Sequence, residues 1–426
     1  MKWPKLPLRR IARIVNGGTP TPDPNNWGGS IPWATPADFG DTFSRIGSTR
    51  RTITHHGAMT GSTVVPPGSV LLSTRAPIGH VAITETWMAF NQGCRALTPS
   101  GLIDPIFLGY QLESFRENLQ ARGLGSTFVE LSSEAIASTP AVVPPIDEQR
   151  RIADFLDAET ARIDKMISIR RRQLQQLAER YSILISEFTA PGTTRDTPRS
   201  PTWPWLPADL KVARLGYFAR VQSGVTVHGA RTSTSSDIEV PYLRVANVQG
   251  ERIDLTNVSR IVIPREMALR STLRSGDVVM TEANGNPDNL GRGGVWLGEI
   301  PDMVHQNHLF AVRTRRDALL PEFLSFTLAS IHGRRYFRFT STQVGIATTS
   351  SSKVLDLPVA VIPVTRQQQV VTEARRIREL TGASTSALNR QIGLLAERRQ
   401  ALITAAVTGQ IDVSTAGGRG IEEGAS

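Results

Sequence analysis

The stretch PPIDEQRRIADFLDAETARIDKMI, residues 144–167, reads as the opening of a long helix, and a weathered copy of it, IPVTRQQQVVTEARRI, stands at residues 362–377. Two prolines fix the start, and Asp147 and Glu148 complement the positive end of the helix dipole. From there Ile163, Arg170, Leu177 and Leu184 recur every seven residues, with Ile167, Leu174, Tyr181 and Phe188 four places on. That is a narrow seam of coiled-coil type, interrupted by one arginine. A helix over 147–188 has 188 − 147 + 1 = 42 residues and extends roughly 63 Å, too far to be buried in a small domain. The second helix, over 366–408, keeps the seam less well: Leu388, Ile392, Leu395 and Leu402 lie on it, but Thr381, Thr385 and Arg399 occupy equivalent places. Gly382 and Gly393 weaken it by about 1 kcal/mol each against alanine. Each helix could pack on its own domain, but two matched seams more simply bury each other. Their polar faces, including RRRQLQQ (170–176) and AERRQ (396–400), then remain for partner proteins.

The copy keeps a constant offset. Pro145 and Pro363 differ by 363 − 145 = 218, and the same shift pairs Pro140 with Pro358, Gln149 with Gln367, Leu177 with Leu395, and Arg180 with Arg398. Upstream the correspondence survives in blocks of the same order: SIPWATPAD (30–38) with EVPYLRVAN (239–247), PGSVLLST (67–74) with SGDVVMTE (275–282), and NQGCRAL (91–97) with HQNHLFAV (305–312). The chain therefore reads as head, helix, head, helix. Two copies are too few for a solenoid, and a pseudo-twofold molecule is the natural solution. Between the halves, residues 189–204 are rich in proline, glycine and threonine and suit an exposed connector. The tail from Ser414 reads as disordered.

Composition narrows the function. At 426 residues, 40% hydrophobic and 20% charged, the chain has the make-up of a soluble protein of two or three domains. It shows no apolar run of membrane length and no secretory signal. The single cysteine, Cys94, excludes an internal disulfide and suits a reducing cytoplasm. A net charge of +10, mostly arginine, favours phosphate and guanine edges, although acidic proteins or anionic lipid would also fit.

The heads, 1–143 and 205–361, read as short strands (SVLLST, HVAIT, CRALT, RIVI, DVVMT, GGVWLG, LFAVRT) punctuated by turns, each head ending in one helix. Polar loops follow the strands: STRAPIGH (73–80) with Arg75 before a tight corner, and TEANGNPDNLGRGG (281–294) with Glu282, Asn284, Asn289 and Arg292. Asn, Gln, Glu and Arg are the side chains that read base edges, though an ordinary solvated loop has the same composition.

Catalytic motifs are missing. The Asn/Asp-Pro-Pro-aromatic set that holds a flipped base for methylation has only VPPI (143–146) as a near match, which opens a helix. No phosphate-binding lysine follows the glycines of 285–294, and carboxylates are scattered. His305 and His308 on one strand would face opposite sides, His55 and His56 read as loop residues, and Cys94 reads as a small core residue.

Taken together, STRAPIG, NQGCRAL with its echo at Gln306-Asn307-His308-Leu309-Phe310, GSTFVELS (125–132) and above all PPIDEQRRIADFLD resemble the specificity (S) subunit of Type I restriction–modification systems. The resemblance covers nearly the whole chain; in the second head VGIATTSSS (344–352) stands for GSTFVELS, and PVTRQQQ lacks the Asp-Glu pair. It implies an α+β fold with two target-recognition domains related by pseudo-twofold symmetry and separated by two long antiparallel coiled-coil helices. The implied domains are 1–143, 205–361 and the spacer helices 144–188 and 362–413, with a linker at 189–204 and a tail at 414–426. It implies a non-catalytic, cytoplasmic subunit that reads a split duplex DNA target and docks two methyltransferase subunits and restriction subunits. S-adenosylmethionine, ATP and Mg would sit on those partners, with no cofactor and no metal on this chain. By the same resemblance Thr35, Asp38, Thr74, Arg75, Gln92, Ser126 and Thr127 are the candidate DNA contacts of the first head. Arg244, Asn247, Thr281, Glu282, Asn284, Arg292, Gln306 and Asn307 are those of the second. Alternatives are a related bipartite methylation system without restriction subunits, and a coiled-coil adaptor whose heads bind proteins.

Overall fold

The computed structural model describes residues 3–122, 130–226 and 236–413, so the tail expected to be disordered lies outside the described residues. The backbone divides into two units, Met1–Arg170 with Arg390–Ser426, and Arg171–Asn389. Both long helices, Ile146–Thr189 and Val364–Thr408, pass through this division, so each unit contains one head and a part of each helix.

In the first unit a five-stranded sheet runs in the order Ala12–Asn16, Cys94–Pro99, Val70–Ser73, Val81–Thr84, Ser44–Ile46, antiparallel except for the last pair. A second sheet orders Thr52–Ile53, Trp27–Ala34, Met88–Phe90 and Thr63–Val65. The helix Pro105–Ser114 starts on Asp104, whose carboxylate accepts from the Ile106 and Phe107 amides. It contributes Phe107, Leu108 and Leu112 to a core shared with Ile152 and Leu156 of the central helix and Ile403 and Val407 of the C-terminal one. Arg399 meets Asp164 while residues 403–407 join the core of 152–156, so the two helix segments run antiparallel here.

The second unit repeats the plan. Its four-stranded sheet is Ala219–Ser223, Leu309–Thr314, Val278–Thr281, Gly293–Val295, and a three-stranded sheet is Ser259–Pro264, Asp237–Leu243, Val304–His305. The sequence repeat reappears as identical hydrogen bonds. The Gln149 carboxamide accepts from the Asp104 amide at 2.7 Å and donates to the carbonyls of Leu102 and Pro144. Gln367 accepts from the Leu320 amide at 2.9 Å and donates to Ala318 and Ile362. Both glutamines are buried, so each is kept because it satisfies a loop that no apolar residue could satisfy. Gly17 and Gly224 recur for a steric reason: a Cβ would lie 2.1 Å from the Asn91 carbonyl oxygen and 2.2 Å from that of Gln306.

Several expectations are corrected. Leu184, expected in the seam, is 39% exposed, and Ile185 is buried in its stead. An α-helix lags a seven-residue repeat by about 20° per heptad, about 60° over the three heptads from Ile163, which turns Leu184 out and Ile185 in. Ile163 is buried, and Ile167, Leu174, Leu177, Tyr181, Leu388, Ile392, Leu395 and Leu402 are half-buried. Each head has several helices instead of one; in the first, His55–Gly61 and Ser133–Ala137 are nucleated by the Thr54 and Ser132 caps, too short for periodicity to reveal. His55 and His56 therefore open a helix and are not loop residues. The connector is not free. Trp203 and Trp205 pack on the second core, the Trp205 indole donates to His332 Nδ1 at 2.9 Å, and Glu187 accepts from the Gly192 amide at 2.9 Å.

Candidate nucleic-acid interface

In the first head the described candidate residues fall into two hydrogen-bonded groups, Thr35 and Asp38 with Arg50, and Arg75 and Gln92 with Arg95 and Glu130, while Thr74 is enclosed. Thr35 starts a single 3-10 turn, with its amide and hydroxyl both donating to Asp38 Oδ2 at 2.8 and 2.7 Å. The other Asp38 oxygen accepts from the Arg50 amide at 3.0 Å. Arg75, half-exposed beyond the strand Val70–Ser73, pairs with Glu130 at 3.1 Å, and Glu130 also meets Arg95 at 3.5 Å. Arg95 in turn donates to the Gln92 carbonyl at 2.9 Å. The exposed Gln92 side chain accepts from Thr19. Ser126 and Thr127 lie outside the described residues.

The second head repeats the 3-10 turn with changed residues. The Arg244 amide donates to Asn247 Oδ1 at 2.9 Å, and Asn247 Nδ2 donates to the carbonyls of Asp254 and Asn257. Glu282 meets His308 at 3.1 Å. Gln306 accepts from the Val245 amide at 3.3 Å, while Asn307 is half-buried with its amide bonded to the Val225 carbonyl. Asn284 accepts from the Asn286 amide at 2.9 Å. Arg292 is half-buried on a loop whose Gly291 sits at φ +71°, where a Cβ would meet Phe337 at 2.4 Å.

Burial separates presenters from framework. Thr74 is fully buried and bonds the Gly93 carbonyl through amide and hydroxyl; Thr281 is buried and donates to Asn289 at 2.7 Å; Asn247 is 5% exposed. These three hold loops in shape, a correction to their expected place among base contacts, because their polar atoms are already satisfied inside the protein. His305 and His308 do not share a strand: His305 ends the strand Val304–His305, and His308 lies in the following turn. Burial lowers the His305 pKa, and its two nitrogens face the Ser271 and Gln222 carbonyls. Cys94 is buried in the core, where burial raises its thiol pKa. Among the described residues no cluster of three or more His, Cys, Asp or Glu could hold a metal, and no helix is long and apolar enough to cross a membrane.

Sequence reasoning missed Trp27, Arg50, Arg51, Arg95 and Glu130 as site residues, and weighed His308 only as a metal ligand. The pair Arg50-Arg51 just before a short strand was a usable signal; Glu130 was not, because its partners come from residues 55 and 35 positions away.

Fold and surface together define a class: a repeated α+β module on long helices, carrying unlike loops rich in Arg, Asn, Gln and Glu. Residues 1–178 match the family model described as the Type I restriction modification DNA specificity domain. The chain is 28% identical over 255 residues to the MjaIX specificity subunit of Methanocaldococcus jannaschii, a Type I restriction enzyme subunit, the match covering 58% of each chain. It is 22% identical over 335 residues to the EcoKI specificity subunit of Escherichia coli, covering 76% of this chain and 69% of that one. A chain from a solved structure concerned with complex assembly and conformational transition of the type I R-M system superposes with a TM-score of 0.70, covering 96% of this chain and 98% of that one. At 15% identity that likeness speaks to the fold alone.

Proposed function

We propose that this chain is the DNA-recognition subunit of a Type I restriction–modification complex, itself without catalysis, reading a split duplex target with one half-site per head. The observation that carries the reading is the repeated framework with unlike loops: matching Gln149 and Gln367 clamps and matching 3-10 turns support Thr35 and Asp38 in one head, Arg244 and Asn247 in the other. A duplicated scaffold with diverged loops suits two different base sequences read in a common manner. The exposed or half-exposed subset, Arg75, Gln92, Glu282, Asn284, Arg292, Gln306 and Asn307, would supply base contacts of about 1–3 kcal/mol each. The surplus of arginine would supply a salt-dependent phosphate attraction.

A pseudo-twofold arrangement of the heads on the helix pair would make that pair a ruler. The helices would also dock methyltransferase and restriction subunits; in the first unit Met166, Ile169 and Leu394 are 37%, 45% and 58% exposed beside Arg170 and Arg398, which suits a partner with an apolar ridge and acidic flanks. The test is duplex binding at rising salt, followed by mapping of methylated adenines in cells with and without the chain. A split motif and a steep salt dependence are expected; salt-independent binding to peptides alone would remove the reading. Deleting one heptad from both helices, about 10 Å, should shorten the gap by about three base pairs. An unchanged gap would refute the ruler.

A further inference from the structure

We propose that Arg51, presented on the face of Trp27, reads a guanine edge in the half-site of the first head; the proposal rests on the DNA-binding reading above. The Arg51 guanidinium carbon lies 3.6 Å from the Trp27 ring centroid and 5.4 Å from that of Trp33. Stacking on an indole is common on protein surfaces and alone would say little. Here both rings are locked. Trp27 and Trp33 meet edge to face at 5.0 Å, and their indole N–H groups donate to the carbonyls of Thr21 and Gly18 at 2.9 and 3.0 Å.

The backbone carrying Arg51 is locked as well. The Trp33 amide donates to the Arg51 carbonyl at 3.0 Å, and Asp38 receives the Arg50 amide while its second oxygen closes the Thr35 turn. Asp38 thus acts as a positioning residue whose accepting atoms hold the loop. Arg51 itself is exposed, and among the described residues its guanidinium has no carboxylate partner. A chain of hydrogen bonds and ion pairs links the enclosed Trp33 through Gly18 and Thr19 to the exposed Gln92 and on to Arg95, Glu130 and Arg75, which ties the indole pair under Arg51 to the candidate DNA contacts of this head. A planar guanidinium fork stacked on an indole is restrained in the way that bidentate reading of guanine O6 and N7 requires, whereas a phosphate contact needs no such fixed plane.

The test selects bound duplexes from a randomised pool with the full chain, wild type against Arg51→Ala and Trp27→Leu. Circular dichroism and amide exchange over Trp27–Ala34 verify the fold. Arg51→Ala should make one guanine position in a single half of the motif degenerate and weaken binding to the selected duplex about 5- to 150-fold. The other half-site and the salt slope should be unchanged, and Trp27→Leu should blur the same position. A uniform loss across all duplexes with a slope shallower by about one unit would instead make Arg51 a phosphate contact and overturn the proposal. An unaltered motif would also overturn it. A wild-type chain that enriches no motif would overturn the DNA-binding reading itself.

Discussion

Replacing Arg399 by methionine isolates a buried charge in the helix seam. Arg399 Nη1 lies 3.0 Å from Glu113 Oε1 and its Nε 3.1 Å from Asp164 Oδ1; the arginine side chain is 6% exposed, Glu113 2% and Asp164 42%. Without Arg399, Glu113 keeps the Phe43 amide at 3.0 Å and the more distant Arg116 at 3.8 Å. Its Oε2 is buried with no hydrogen-bond partner among the described residues even in the intact protein. Removing one partner of a buried pair leaves an uncompensated charge and costs about 3–5 kcal/mol. Arg399→Met should therefore raise the opening equilibrium of the first unit by about two to four orders of magnitude. Amide exchange of the full chain reads this in peptides from Pro105–Ser114 and 390–408, with Pro321–Ala329 of the second unit as the internal control. The double variant Arg399→Met/Glu113→Gln should recover part of the loss, since it removes the stranded carboxylate. Asp164→Asn should cost about 1 kcal/mol or less, because that carboxylate reaches solvent. A single variant within about 1 kcal/mol of wild type, or a double variant no better than the single, would refute the reasoning.

Two further outcomes follow from other parts of the structure. Gly382 and Gly393 lie in the helix Val364–Thr408 with nothing within 4 Å of an added Cβ, so Gly382→Ala and Gly393→Ala should each stabilise by about 1 kcal/mol, read by denaturant titration and helical ellipticity. His332, buried with Nδ1 accepting from Trp205 and Nε2 donating to the Pro358 carbonyl, has its pKa lowered by burial from 6.5 to about 4. Its unfolded form binds the extra proton first, so the neutral-ring contribution is complete above pH 6.5 and is lost as pH falls from 6.5 through 4, about 3 kcal/mol in all. The difference in pH–stability profile between wild type and His332→Phe should be confined to that window, and parallel profiles there would contradict the assignment.

Local chemistry determined much of this protein from sequence. The two long helices, the repeat that relates them and most of the strands are set by periodicity, caps and turn residues that act within a few positions of the chain. Arg75, Gln92 and the loop 281–294 were legible because strand ends and polar turns mark them locally. What only the tertiary structure decided is which polar residue faces water and which braces a loop. Thr74, Thr281 and Asn247 have the composition of readers but are enclosed, while Arg51 gains its role from two indoles brought against it by sheet packing. Arg399 looked like a flaw in an apolar seam until a carboxylate 286 residues away was placed beside it. Burial and pairing depend on neighbours far apart in the chain, and the hydrophobic pattern encodes which face turns inward without specifying what it meets there.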